Sequence, residues 1–140
     1  MKKRILVVED NPLNLELVTD LLEADGFLVS HARTAEECFR AARDLAPDLI
    51  LMDLSLPGLD GLAATRALKA GPATCHLTIV ALTAHAMKDD EAIALRAGCD
   101  GYLAKPLETR TFAAKVTAFI AAAASRLTEP NRLPICQPKP

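Results

Sequence analysis

The stretch RILVVEDNPLNLEL, Arg4 to Leu17, reads first as a strand and then as a helix. Arg4 to Glu9 is a short aliphatic, valine-containing run, the pattern of a strand buried on both faces. It stops at Asp10. Asn11 is a favoured helix N-cap, and Pro12 suits the first helical position, where a missing N–H costs nothing. Leu13, Leu17, Leu21 and Leu22 then recur at helical spacing, and Gly26 supplies the stop.

The same alternation continues along the chain. Phe27 to His31 reads as a second strand. Thr34 opens the next helix, with Glu37 three residues on forming a capping box. Cys38, Phe39, Ala42 and Leu45 make its apolar face, and Pro47 ends it. Asp48 to Leu54 is the third strand. Pro57-Gly58 turns the chain into a helix from about Asp60 to Ala70, closed by Gly71-Pro72. Thr78 to Thr83 is the fourth strand. A helix from Lys88 to Ala97 follows, closed by Gly98, with Asp89, Asp90 and Glu91 in its first turn, where negative charge suits the helix dipole. Gly101 to Ala104 is a fifth, short strand. Phe112, Val116, Phe119 and Ile120 mark the face of a last helix.

Strands alternating with helices predict an α/β fold: a five-stranded parallel sheet with helices on both faces. The strand order expected is 2-1-3-4-5. Residues 1–127 form one domain, since 140 residues fall in the usual single-domain range. Residues 128–140 hold four of the nine prolines and read as a flexible Pro-rich C-terminal tail. With 51% hydrophobic and 24% charged residues, the composition is that of a folded globular chain. No apolar run approaches the roughly 18–20 residues of a membrane span, and MKKRILVVED lacks the pattern of a signal peptide. A cytoplasmic location is expected. A net charge of −2, with no basic stripe, offers no footprint for nucleic acid or anionic lipid. Cys38, Cys75, Cys99 and Cys136 lie far apart, which predicts reduced thiols and no zinc site.

Open α/β sheets place their ligands at the carboxyl ends of the strands. Strand one ends there in Glu9-Asp10, strand three in Asp53, strand four in Thr83, and strand five runs into Lys105. Each alone has an ordinary explanation as a helix cap, a strand residue or a solvated loop charge. Together they are a chemical set. In the order 2-1-3-4-5, strands one and three are neighbours, so Asp10 and Asp53 stand side by side. Clustered carboxylates repel and call for a cation, and oxygen ligation with room for water suits Mg²⁺.

EDN at Glu9, DLILMDLSLPGLDG around Asp53, LTA at Leu82 and GYLAKP ending in Lys105-Pro106 resemble the receiver domain of bacterial two-component response regulators. The resemblance covers roughly residues 3–125. LTAHAMKDD and GCDGYLAKP are similar to stand-alone receivers of the DivK-like type, and to receiver modules of hybrid histidine kinases. It implies the flavodoxin-like receiver fold and a phosphorelay role. Asp53 would be the phosphoacceptor, with Mg²⁺ held by Asp10, Asp53 and the Ser55 backbone carbonyl, and by Glu9 through water. Lys105 and Thr83 would hold phosphoryl oxygens, and the Lys105-Pro106 peptide would be cis. Thr83 and Tyr102 would form the switch. Ser55 and His85 are expected to tune how long the phosphoryl group lasts.

The partners implied are a sensor histidine kinase or histidine phosphotransfer protein and a downstream protein bound through the face of helix four, strand five and helix five. Asn14 and Leu15 of helix one are expected to face the phosphodonor. No turnover enzyme is expected. A dehalogenase-type phosphatase would need a second Asp where Ser55 stands, and a nucleotide enzyme a glycine-rich loop that EDNPLNLEL lacks. A receiver-type docking module working without phosphorylation remains the alternative.

Overall fold

The chain's structure, a computed structural model, describes residues 2–54, 61–83, 88–104 and 109–127. Ten elements alternate along it: β1 (Arg4–Val8), α1 (Pro12–Ala24), β2 (Leu28–Ala32), α2 (Ala35–Leu45), β3 (Leu49–Asp53), α3 (Gly61–Ala70), β4 (Ile79–Thr83), α4 (Lys88–Ala97), β5 (Gly101–Ala104) and α5 (Phe112–Leu127). All strand pairs are parallel, and the sheet order is β2-β1-β3-β4-β5, as expected.

Alternation along the strands divides the core into two layers. Leu6, Val8, Ile50, Met52, Ile79 and Ala81 face one way and meet Cys38 and Ala42 of α2, Ala64 and Leu68 of α3, and Ala94 of α4. Ile5, Val7, Leu49, Leu51, Val80 and Leu82 face the other way, toward α1 and α5. Strands covered on both sides have no solvent face to mark with polar residues, which is why β3 and β4 read as continuous apolar runs.

The helix ends follow their sequence signals. Asn11 accepts hydrogen bonds from the Leu13 and Asn14 amides, at 2.9 and 3.4 Å, and Thr34 accepts one from the Glu37 amide at 3.1 Å. After α1, Gly26 adopts φ 91°, its amide donates to the Glu23 carbonyl, and the Phe27 amide donates to that of Leu22. This Schellman closure consumes the Phe27 N–H, so β2 begins one residue later than the sequence pattern suggests.

The face of α1 needs correction. Leu15, Val18 and Leu22 are its buried residues, whereas Leu13 is 76% and Leu17 45% exposed. Positions 15, 18 and 22 follow the i, i+3, i+7 line, and 13 and 17 fall about 200° around from 15 at 100° per residue. The cysteine expectation also changes. Cys38 and Cys99 are free and buried under the helices, but Cys75, in the loop after α3, is disulfide-bonded to a partner outside the described residues.

At the edge of the sheet where the strands begin, polar side chains tie loops to strands. Asp48 accepts from the Arg4 amide at 2.8 Å, and Arg4 Nη1 donates to the Leu45 carbonyl at 3.2 Å. Asp100 accepts from Lys69 Nζ at 2.8 Å and from the Ile79 amide at 2.9 Å, while Lys69 also donates to the Leu77 carbonyl at 2.7 Å. Gly101 opens β5 against α5: a Cβ there would collide with the Phe119 ring, so only a residue without one admits it.

Candidate functional site

At the opposite edge the strands end in acids. Val8 of β1 pairs with Met52 of β3, so the next residues along, Glu9 and Asp53, stand at the tips of adjacent central strands. The Glu9 amide donates to the Ala32 carbonyl, holding the backbone in line with β2 after β1 has ended. Alternation puts both side chains on the α1 side of the sheet, since residues 5, 7, 49 and 51 all face that layer. Glu9 is 2% exposed and Asp53 fully buried, and Asp10 beside them is exposed.

Charged residues are almost never fully buried without partners. Asn14, in the first turn of α1, donates from Nδ2 to Glu9 Oε1 at 3.2 Å. Glu9, Asp53, Thr83 and Tyr102 all have further interactions. Gly61, the first residue of α3, packs directly on the end of β3, where a Cβ would lie 3.1 Å from the Asp53 carbonyl oxygen and 2.9 Å from Leu54 Cδ2.

Thr83 ends β4 and is buried, paired in register with Ala104 of β5. Ala81 and Tyr102 are also a register pair, and residues 81 and 83 point to the same side. Thr83 and Tyr102 therefore share the α4 face of the sheet, with Tyr102 half-buried and packed on that core layer. Leu15 is buried in the core and cannot face a phosphodonor. The apolar side chains that α1 presents to solvent are Leu13 and Leu17. Ser55, His85, Lys105 and Pro106 lie outside the described residues, as does the 128–140 segment, so the carbonyl ligand, the lysine and the cis peptide fall there.

Among the described residues, no group of three or more His, Cys, Asp or Glu side chains is arranged to hold a metal ion. An all-oxygen donor set of two direct carboxylates, leaving positions for water, is one that Mg²⁺ takes, and Asp10 and Asp53 are donors of that chemistry. No described helix is long and apolar enough to cross a membrane.

The profile of the response regulator receiver domain matches residues 5–117. The chain belongs to this family. Among curated relatives of this receiver, the polar-differentiation response regulators DivK of Brucella ovis and Brucella abortus are 39% identical over 120 residues, covering 86% of this chain and 98% of theirs. Among solved structures, a response regulator from Chloroflexus aurantiacus superposes with a TM-score of 0.81 at 29% identity, covering 86% of this chain and 99% of that one. The receiver domain of the sensor histidine kinase PA1611 from Pseudomonas aeruginosa superposes with a TM-score of 0.78 at 36% identity, with the same coverage. That structure has a magnesium ion coordinated in its active-site cleft. This protein is a DivK-like receiver and a signalling protein of two-component systems.

Proposed function

We propose that this receiver accepts a phosphoryl group on Asp53 from the phosphohistidine of a sensor kinase or phosphotransfer protein. The observation that carries the reading is the pair of buried carboxylates, Glu9 and Asp53, at the tips of neighbouring central strands, with Asp10 at the mouth. Burying such charges without a purpose is costly. An Asp53 oxygen attacks phosphorus, the P–N bond breaks, and its electron pair returns to the departing imidazole, leaving an acyl phosphate.

Asp10, Asp53 and the Ser55 carbonyl would hold Mg²⁺, with Glu9 acting through water. When bound, the ion offsets negative charge on the transferring group. Lys105 pairs with one phosphoryl oxygen and Thr83 donates its hydroxyl to another, with a cis Lys105-Pro106 peptide aiming the lysine inward. As Thr83 moves toward the phosphoryl group, Tyr102, which shares its face of the sheet, turns inward. That reshapes the surface of α4, β5 and α5 for a downstream protein. Residues 1–127 are the receiver unit and 128–140 an appended tail, working in the cytoplasm.

The test is incubation with a small-molecule phosphodonor and Mg²⁺, followed by intact mass and acid–base lability. Wild type should gain one phosphoryl group, stable in acid and labile in base, and Asp53→Asn should gain none. Phosphoryl uptake elsewhere, or undiminished uptake by the variant, overturns the assignment. A docking module indifferent to phosphorylation would bind its partner equally well with Asn at position 53.

A further inference from the structure

The chain holds four cysteines, and Cys38 and Cys99 are free thiols buried under the helices. Cys75 is disulfide-bonded. The remaining cysteine is Cys136, nine residues beyond the end of α5 at Leu127. Cys75 is fixed by its loop: its amide donates to the Gly71 carbonyl at 2.8 Å, and the neighbouring Thr74 hydroxyl donates to the Leu68 carbonyl at 2.6 Å. The fold brings this loop and the end of α5 to one edge. Residues 71–77 lead into the start of β4, and Lys69 links the Leu77 carbonyl to Asp100, the residue before β5. Phe119 of α5 already lies against Gly101, the first residue of β5. The eight residues from there to Leu127 carry the helix about 12 Å further, past the strand starts. Nine more residues reach up to about 30 Å, roughly twice the radius of gyration of about 14 Å expected for a domain of this size. Cys75 is therefore well within reach of Cys136.

We infer that Cys75 and Cys136 form a reversible disulfide, a redox-controlled tether that ties the C-terminal segment to the α3–β4 loop at the sheet edge opposite the acids. The oxidant is a low-molecular-weight disulfide. One protein thiolate attacks a sulfur of that disulfide and expels a small thiolate, leaving a mixed disulfide on the chain. The second protein thiolate attacks the protein-side sulfur and expels the other small thiolate. Two protein thiols are oxidised, one small disulfide is reduced, and the two protons end on the two small thiols. Disulfides in a reducing compartment are transient or redox-sensing rather than permanent staples. The reversibility thus rests on the cytoplasmic reading above, whereas the pairing stands on the cysteines alone.

A tryptic map of the full chain, made without reductant after equilibration with oxidised glutathione, reads the pairing, because each cysteine falls on a different peptide. Peptides 70–88 and 133–140 should run as one linked species that reductant separates, with the Cys38 and Cys99 thiols still free. Cys136→Ser should abolish the link. Cys75 joined to Cys38 or Cys99, a bond between two chains, or no bond at all overturns the pairing. Millimolar reduced glutathione should open the bond, and a bond that resists it overturns the redox control. Thermal unfolding supplies an independent readout. The tether closes about 60 residues of the unfolded chain but only about 10 beyond α5 in the folded one, so opening it should lower Tm by about 5 °C. Cys136→Ser should show no such change on adding reductant, and an equal drop in that variant overturns the tether. None of these readouts involves Mg²⁺ or phosphoryl uptake, so the tether and the acceptor role of Asp53 fail separately.

Discussion

The two edges of the sheet use charge in opposite ways. Where the strands begin, each charged group named above is matched inside the chain: Asp48 by the Arg4 amide, Lys69 by Asp100 and the Leu77 carbonyl, and Asp100 also by the Ile79 amide. Where the strands end, Glu9, Asp10 and Asp53 gather charge of one sign. The first edge holds loops to the sheet. The second carries three acids at or beside the tips of two neighbouring strands, the set proposed above to receive the cation. Stability and chemistry are therefore assigned to different ends of the same five strands.

The largest effect that could break this division is at Asp100. Asp100→Ala should cost about 3 kcal/mol, because it strands the partly buried Lys69 ammonium and leaves the Ile79 amide without this acceptor. Urea unfolding measures the loss, and phosphoryl uptake on Asp53 below the transition should stay within about twofold of wild type, as expected for distant sites that do not couple. Parallel loss of uptake would mean the edges are not separable.

The core between the edges supplies a reference. Burial pushes the Cys38 thiol up from 9.0 to about 11. The unfolded chain releases this proton near pH 9 and the folded chain only near pH 11, so the contribution is fully present below pH 9 and is lost as pH rises to 11. The stability difference between wild type and Cys38→Ala should shrink by about 2 kcal/mol across that window. A flat difference would place the thiolate in a far more polar setting than the layer under α2.

The smallest effect has the opposite sign. Asp10→Asn, in buffer without divalent cations, should stabilise the fold by about 0.5–1 kcal/mol through relief of like-charge repulsion. It should also abolish any rise in Tm on adding Mg²⁺. A destabilised variant would show that Asp10 is matched within the chain after all.

Much of this was legible in the sequence because the signals are local. Asn11-Pro12, Thr34 with Glu37, Gly26 and Gly98 each place a helix end through backbone chemistry that neighbouring residues settle among themselves. The acids at the strand ends were legible because parallel connectivity sends every strand's C-terminus to one edge. The buried face of α1 follows the helical period and not the leucines: Val18 is buried and Leu13 is not. The Lys69–Asp100 pair was invisible, since 31 residues separate partners that only the packing of α3 against β3 and α4 brings together. The Glu9–Asn14 contact spans five residues and crosses a strand–helix boundary, so neither periodicity contains it.

Gly61 has a consequence for anyone who would rebuild this protein. A Cβ there would meet the backbone oxygen of Asp53, so the first turn of α3 and the end of β3 meet without an intervening side chain. A methyl group inserted there is a wedge with two places to go: into Leu54, whose side chain can give, or against the carbonyl of Asp53, which cannot move alone. Redesign of α3 is thus free along most of its outer surface and tightly confined at this first residue, where changing the helix means shifting the end of β3.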